Sequence, residues 1–158
     1  MGRSLGFRAE AKQIHWAVVD GTRDAPILQA HDKAAAPVQA SEATALSWYR
    51  ERARLIAETY TPDAVGIRSA EPIARGSGKE GARRRLRIEG VLLEAMDSCG
   101  LQVTTGALAT ISARLGTKRA KKYIESGNYR GLDLSAFSGP AREAVLVAVS
   151  ALPQAEEE

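Results

Sequence analysis

The chain has 158 residues, a formal charge of +3, 44% apolar residues and only 5% aromatic ones. That length suits one domain with its own core, built here from Ala, Val, Leu and Ile. Single Cys99 excludes an internal disulfide, no Cys/His cluster has metal-ligand spacing, and no segment nears the roughly 20 apolar residues of a spanning helix.

The N-terminal Met-Gly-Arg-Ser-Leu-Gly-Phe-Arg holds no apolar run of signal-peptide length, so a reducing cytoplasm is the expected setting. Arg3 to Arg8, centred on Ser4-Leu-Gly-Phe7, Lys12 to Asp20 and Pro26 to His31 read as three strands, with Asp20-Gly21 as a turn. Such short links imply an antiparallel meander. Gly6 inside the first strand suggests a bulge or a close backbone approach.

An alanine-rich link leads to Ser41, an N-cap residue. Leu46, Tyr49, Ala53, Ile56, Ala57 and Tyr60 recur at helical spacing until Thr61-Pro62 stops the helix. Asp63 to Ser69 reads as a central buried strand. A glycine- and cation-rich loop, Glu71 to Gly81, feeds a helix over Ala82 to Ser98, ended by Gly100. Leu101 to Thr105 is a fifth strand and Ala107 to Leu115 a short helix. Thr117 caps a basic helix over Lys118 to Ser126, Gly127 to Ser138 is a loop, and Gly139-Pro140 opens a last apolar helix to Leu152. The order predicts an α/β fold: a mixed five-stranded sheet, three antiparallel strands then two parallel, with helices on both faces. One domain spans residues 1–153, and 154–158 form an acidic tail expected to be disordered.

Charge is concentrated. Residues 75–87 hold Arg75, Lys79, Arg83, Arg84, Arg85 and Arg87, and residues 114–122 hold Arg114, Lys118, Arg119, Lys121 and Lys122: eleven of the 22 cations. Arg75-Gly-Ser-Gly-Lys79 before a helix offers amides and cations to a phosphate, although Walker spacing is absent. Solvated helix surface is the alternative for both runs. Trp16 alternates with Ile14 and Val18 and is expected in the core. Trp48 is expected partly exposed. His15 and His31 read as structural or surface, Cys99 as a small buried hydrophobe, and Glu89 as a partner for Arg85 four residues earlier.

Three stretches carry a resemblance. The central strand, basic loop and Leu86-Arg-Ile-Glu-Gly-Val-Leu-Leu93 follow one another. Leu101-Gln-Val-Thr-Thr105 precedes Leu115-Gly-Thr-Lys-Arg-Ala-Lys-Lys122, and Gly139-Pro140 opens a closing helix. Together they resemble the ribonuclease H-like superfamily, and within it the RuvC-type Holliday-junction resolvases. The resemblance implies a two-metal nuclease with carboxylates in the first strand, at the end of the fourth strand and at the start of the last helix. Here those places fall on Gly6 or Phe7, on Arg68 or Ser69, and on Arg142 and Glu143. One carboxylate does not hold two Mg²⁺ ions, so lost nuclease activity is expected, with no metal and no cofactor. A nuclease rearranged around Glu71, Glu143 and Asp20 is an alternative, and so is a protein-interaction scaffold.

The leading expectation is nucleic-acid binding, DNA before RNA, through Arg68, Arg75, Lys79, Arg83, Arg84, Arg87, Lys118, Arg119, Lys121, Lys122 and Arg142 as one basic surface. By analogy with the resolvases, a homodimer is expected.

Overall fold

The structure is a computed structural model and describes residues 2–71 and 79–154. Arg75 and the acidic tail beyond residue 154 lie outside the described residues.

The first strand, β1 (Gly2–Ala9), shows why the molecule has two cores. Its alternation sends Leu5, Phe7 and Ala9 to one face and Ser4, Gly6 and Arg8 to the other. β2 (Ile14–Gly21) pairs with it antiparallel, and β3 (Pro26–Ala34) pairs with β2 across a register shift at Val18/Val19. β4 (Ala64–Arg68) lies parallel to β1 on its other side, and β5 (Gln102–Gly106) runs parallel to β4. The sheet order is therefore β3-β2-β1-β4-β5. Three antiparallel strands and two parallel ones form the mixed sheet that the element order predicts.

On the Leu5 face lie α1 (Glu42–Tyr60) and α2 (Glu80–Ser98), which bury Tyr49, Ala53, Ile56, Ile88, Leu92, Ala95 and Met96 against it. The Ser41 hydroxyl accepts from the Thr44 amide and caps α1 as expected. On the opposite face lies α5 (Gly139–Ala151), flanked by α3 (Leu108–Leu115) and α4 (Lys121–Ser126). Ala144 to Val149 are buried on every side, which explains a helix without a polar stripe.

Gly6 marks a close approach. A Cβ there would stand 2.2 Å from the Ala144 carbonyl oxygen and 2.7 Å from Ala148 Cβ. Its parallel neighbour Gly66 would bring a Cβ to 2.5 Å from the Val147 carbonyl oxygen. Two adjacent glycines thus let α5 rest on bare backbone, and the Ser4 hydroxyl donates to the Ala148 carbonyl beside them. Gly6→Ala is expected to cost about 3 kcal/mol, the upper range for overpacking. Urea unfolding of the variant checks this.

Three expectations need correction. The basic helix starts at Lys121 rather than Lys118. Gly116 closes α3 at φ 69°, and the Thr117 amide donates back to the Ser112 carbonyl, so Thr117 belongs to the end of α3. The stretch after Gly127 holds a hairpin, β6 (Asn128–Tyr129) and β7 (Leu132–Asp133), turned by Arg130 and Gly131 at φ 42° and 87°. Trp16 faces the core with Ile14 and Val18 but is only half-buried, its ring against Tyr60 at 5.5 Å.

Candidate nucleic-acid interface and the ion cluster at the strand ends

The carboxyl ends of β1 and β4 point to the start of α5. Position 8 is on the same face as Gly6, and position 68 on the same face as Gly66, so both arginines reach toward that helix. Between them stands Glu143. Arg68 Nε donates to Glu143 Oε1 at 2.8 Å and Arg8 Nε to Oε2 at 3.2 Å. Arg68 is 4% exposed, and its guanidinium also bonds the Ser69 carbonyl and lies 3.0 Å from Glu71. Each oxygen of one carboxylate is thus held by a different guanidinium, a charge-assisted arrangement in a dry site.

α2 adds a second pair. Glu89, buried, accepts from the Ala70 amide just beyond β4. Arg85 Nε lies 3.9 Å from the same carboxylate, so the i,i+4 pair expected from sequence forms as an ion pair. Burial pushes the Glu89 carboxyl above its ordinary range. Burial, then the charge of Arg8, pulls the Arg85 guanidinium below its own. Three arginines and three glutamates therefore share the place where the resemblance puts metal-binding carboxylates.

The residue-by-residue carry-over changes accordingly. The first-strand residue that reaches Glu143 is Arg8, neither Gly6, which lies under α5, nor Phe7, which faces the other core. On the fourth strand it is Arg68; the Ser69 amide is bonded to the Gly106 carbonyl. Arg142 turns away, because successive helical positions point about 100° apart. It donates to the carbonyls of Leu134, Ile124 and Ser135 at 3.0, 2.7 and 3.1 Å and fastens the end of α4. Arg68 is buried and Arg142 commits its donors to carbonyls, so neither extends a positive surface over the strand ends.

Asp20 stands at the other end of the sheet. Arg3 Nε grips it at 2.7 Å, and that hydrogen bond lowers its pKa. It is remote from Glu143, and Glu71 and Glu143 both face Arg68. Among the described residues no group of three His, Cys, Asp or Glu side chains has the arrangement of a metal site.

The remaining cations form two separate patches. Lys79 precedes α2 as its exposed N-cap, and Arg83, Arg84 and Arg87 are exposed along that helix. Arg87 bonds Glu42 at 2.6 Å and shares Glu80 with Arg84. Lys118, Arg119, Lys121 and Lys122 are exposed before and on α4, where Lys121 lies 3.8 Å from Glu125. Among the described residues Arg83, Lys118, Arg119 and Lys122 have no acidic partner. Because α2 and α4 lie on opposite faces of the sheet, one ligand meets both patches only by passing over the strand ends.

Sequence reasoning missed Arg8, although alternation from Gly6 points to it. It also missed Arg23, which donates to the Leu152 and Arg114 carbonyls at 2.8 and 3.0 Å and so ties the ends of α5 and α3 together. Nothing in its sequence neighbourhood signals that role.

Neither a protein-family model nor a curated protein matches the chain. Solved structures do. Thermus thermophilus RuvC in complex with a Holliday junction substrate superposes with a TM-score of 0.74 at 14% identity, covering 95% of this chain and 92% of that one. Another Thermus thermophilus RuvC structure gives 0.75 at 15% identity, covering 94% and 92%. The yeast mitochondrial Holliday junction resolvase gives 0.63 at 11% identity, covering 94% and 77%. At such identities the likeness speaks for the fold alone: the chain has the ribonuclease H-like fold in the form seen in RuvC-type Holliday-junction resolvases.

Proposed function

We propose that this is a nucleic-acid-binding, resolvase-like protein of the cytoplasm that has lost two-metal nuclease activity and binds DNA, branched DNA foremost. One observation carries the loss: Glu143, the carboxylate at the head of α5, is bonded to Arg8 and Arg68, where a metal centre needs further carboxylates. A divalent cation entering there would meet two guanidinium charges. The binding half draws support from Lys118, Arg119 and Lys122, exposed and without an acidic partner among the described residues, and from the RuvC structure solved with its junction substrate. Fluorescence anisotropy with labelled four-way junction, duplex, single strand and RNA, at two salt concentrations, tests it. Junction affinity above duplex affinity, falling steeply with salt, is the expected result. Equal, negligible binding of all four at low salt would overturn the reading.

The exposed face of α2 favours a homodimer. Arg83, Leu86, Gly90, Leu93 and Asp97 recur on one stripe, with Leu86 and Leu93 each over two-fifths exposed and open space above Gly90. An antiparallel copy centred on Gly90 sets Leu86 against the partner's Leu93 and Arg83 against the partner's Asp97, the self-complementarity of a twofold contact. Leu93→Lys is expected to turn a dimer into a monomer in light scattering while leaving the circular dichroism spectrum unchanged. A wild type that stays monomeric at about 100 µM would remove this part of the reading.

A further inference from the structure

On the Leu5 face of the sheet, the β1–β2 turn, the link from β3 to α1 and the N-terminal halves of α1 and α2 line a cavity of about 400 Å³. Aliphatic side chains make most of its wall, among them Ala36, Val38, Ala45, Leu46 and Ile88. Ala36, Ala45 and Leu46 pack on the core yet stay only half-buried, and Val38 is 98% exposed. Apolar surface is thus left in contact with water, and a ligand with an apolar body would cover it. Such a volume and such a wall are those of small-molecule sites.

The polar side chains of the lining decide the charge of that ligand. Lys12 and Arg84 are exposed and therefore stand at the mouth. Lys12 has no acidic partner among the described residues, and Arg84 has only Glu80 at 3.6 Å, an exposed contact worth little. Glu42 is the one acid in the lining, and Arg87 holds it at 2.6 Å. Tyr49, 2% exposed, accepts from the Ala36 amide at 3.2 Å and donates its own hydroxyl hydrogen to no acceptor among the described residues. Every polar side chain that the cavity leaves free is therefore a cation or a donor, and the complement is an anion that accepts hydrogen bonds. A nucleobase fits poorly, because its edge N–H groups would find no free carboxylate or amide side chain.

We propose that this cavity binds a small organic carboxylate with a hydrocarbon body, the body against Ala45, Leu46 and Ile88 and the carboxylate at Lys12 and Arg84. The site is separate from the cluster around Glu143, and it stands whether or not the protein binds DNA. No covalent step takes place.

Titration of the full chain with octanoate at constant ionic strength, followed by proton–nitrogen correlation NMR, tests the site. The amides of Ala36, Val38, Leu46 and Ile88 should shift together and saturate. Octanol, which keeps the body and loses the charge, should bind at the same amides about tenfold more weakly, the scale of two exposed ion pairs. Exchanging Lys12 and Arg84 together for Gln should weaken octanoate about tenfold and leave octanol unaltered. Arg52→Gln, an exposed change of charge outside the lining, should alter neither. Ala45→Phe should fill the cavity and weaken both ligands at least about tenfold. The Lys12 and Arg84 exchanges touch only exposed side chains, so the test holds even if Ala45→Phe fails to fold. No shift at about 10 mM octanoate, or shifts at other amides, would overturn the site. Octanol binding as tightly as octanoate, or an octanoate affinity that survives the double exchange, would overturn the anion. Deoxyadenosine monophosphate binding there as tightly as octanoate would overturn the hydrocarbon carboxylate in favour of a nucleotide.

Discussion

Glu143→Ala is expected to destabilise the protein by about 4 kcal/mol, the cost of leaving buried charges without their counterion. The reason is the position of the carboxylate. It stands between Arg68, which is almost wholly buried, and Arg8, which is 14% exposed, and it is the acid that both share. Without it Arg8 has no acidic partner among the described residues and Arg68 keeps only the half-exposed Glu71, in a site that water scarcely reaches. Chemical denaturation measures the loss. Removing the whole set tells more. Arg8→Met, Arg68→Met and Glu143→Leu together should recover most of that loss, because a buried ion pair exchanged for apolar packing is commonly neutral or stabilising. A single variant as stable as wild type would mean that solvent already screens the cluster. A nuclease centre behaves otherwise: carboxylates crowded for metal repel one another, so neutralising one of them tends to stabilise the metal-free protein.

The second large effect concerns binding. Exchanging Lys118, Arg119, Lys121 and Lys122 for Glu should lower junction affinity at least about 100-fold near physiological salt. Exchanging them for Gln gives the finer readout. Every phosphate that the protein no longer neutralises flattens the dependence of log affinity on log salt by about 0.9, so four of them would flatten it by roughly 3–4. Folding should not suffer, since all four side chains are exposed and only Lys121 has an ion-pair partner among the described residues, at 3.8 Å. An unchanged slope would take α4 out of the interface and leave its charges as solvated surface.

The sheet is legible in the sequence because each strand carries a signal of its own. Asp20-Gly21 marks the turn from β2 to β3, and Ser41 and Pro62 bracket α1. The glycine at position 6 announces a close approach, which α5 makes. Short elements are not legible. Two-residue strands such as Asn128–Tyr129 have no alternation to read, and the start of α4 is set by hydrogen bonds to Ser112, eight residues before Ala120. The ion cluster is half legible. Arg68 and Glu143 stand out as the residues at expected metal positions, but charge alone suggests an open basic surface. That Arg68 lies buried on Glu143 depends on how α5 crosses β4, a contact between residues 75 apart in sequence. Arg142 misleads because adjacent helical residues cannot share a face, and only the phase set by Ser138 as N-cap decides which one turns inward.

The most direct measurement places labelled four-way junction DNA with the protein in Mg²⁺, in Mn²⁺ and in EDTA, reads affinity by anisotropy, and then resolves the strands on a denaturing gel. Every strand intact in all three, with an affinity no higher in Mg²⁺ or Mn²⁺ than in EDTA, is the expected result for a centre filled by Arg8, Arg68 and Glu143. Strand cleavage that appears with the metal and disappears in Glu143→Gln would contradict it, and would show that the arginines yield their carboxylate to a metal ion.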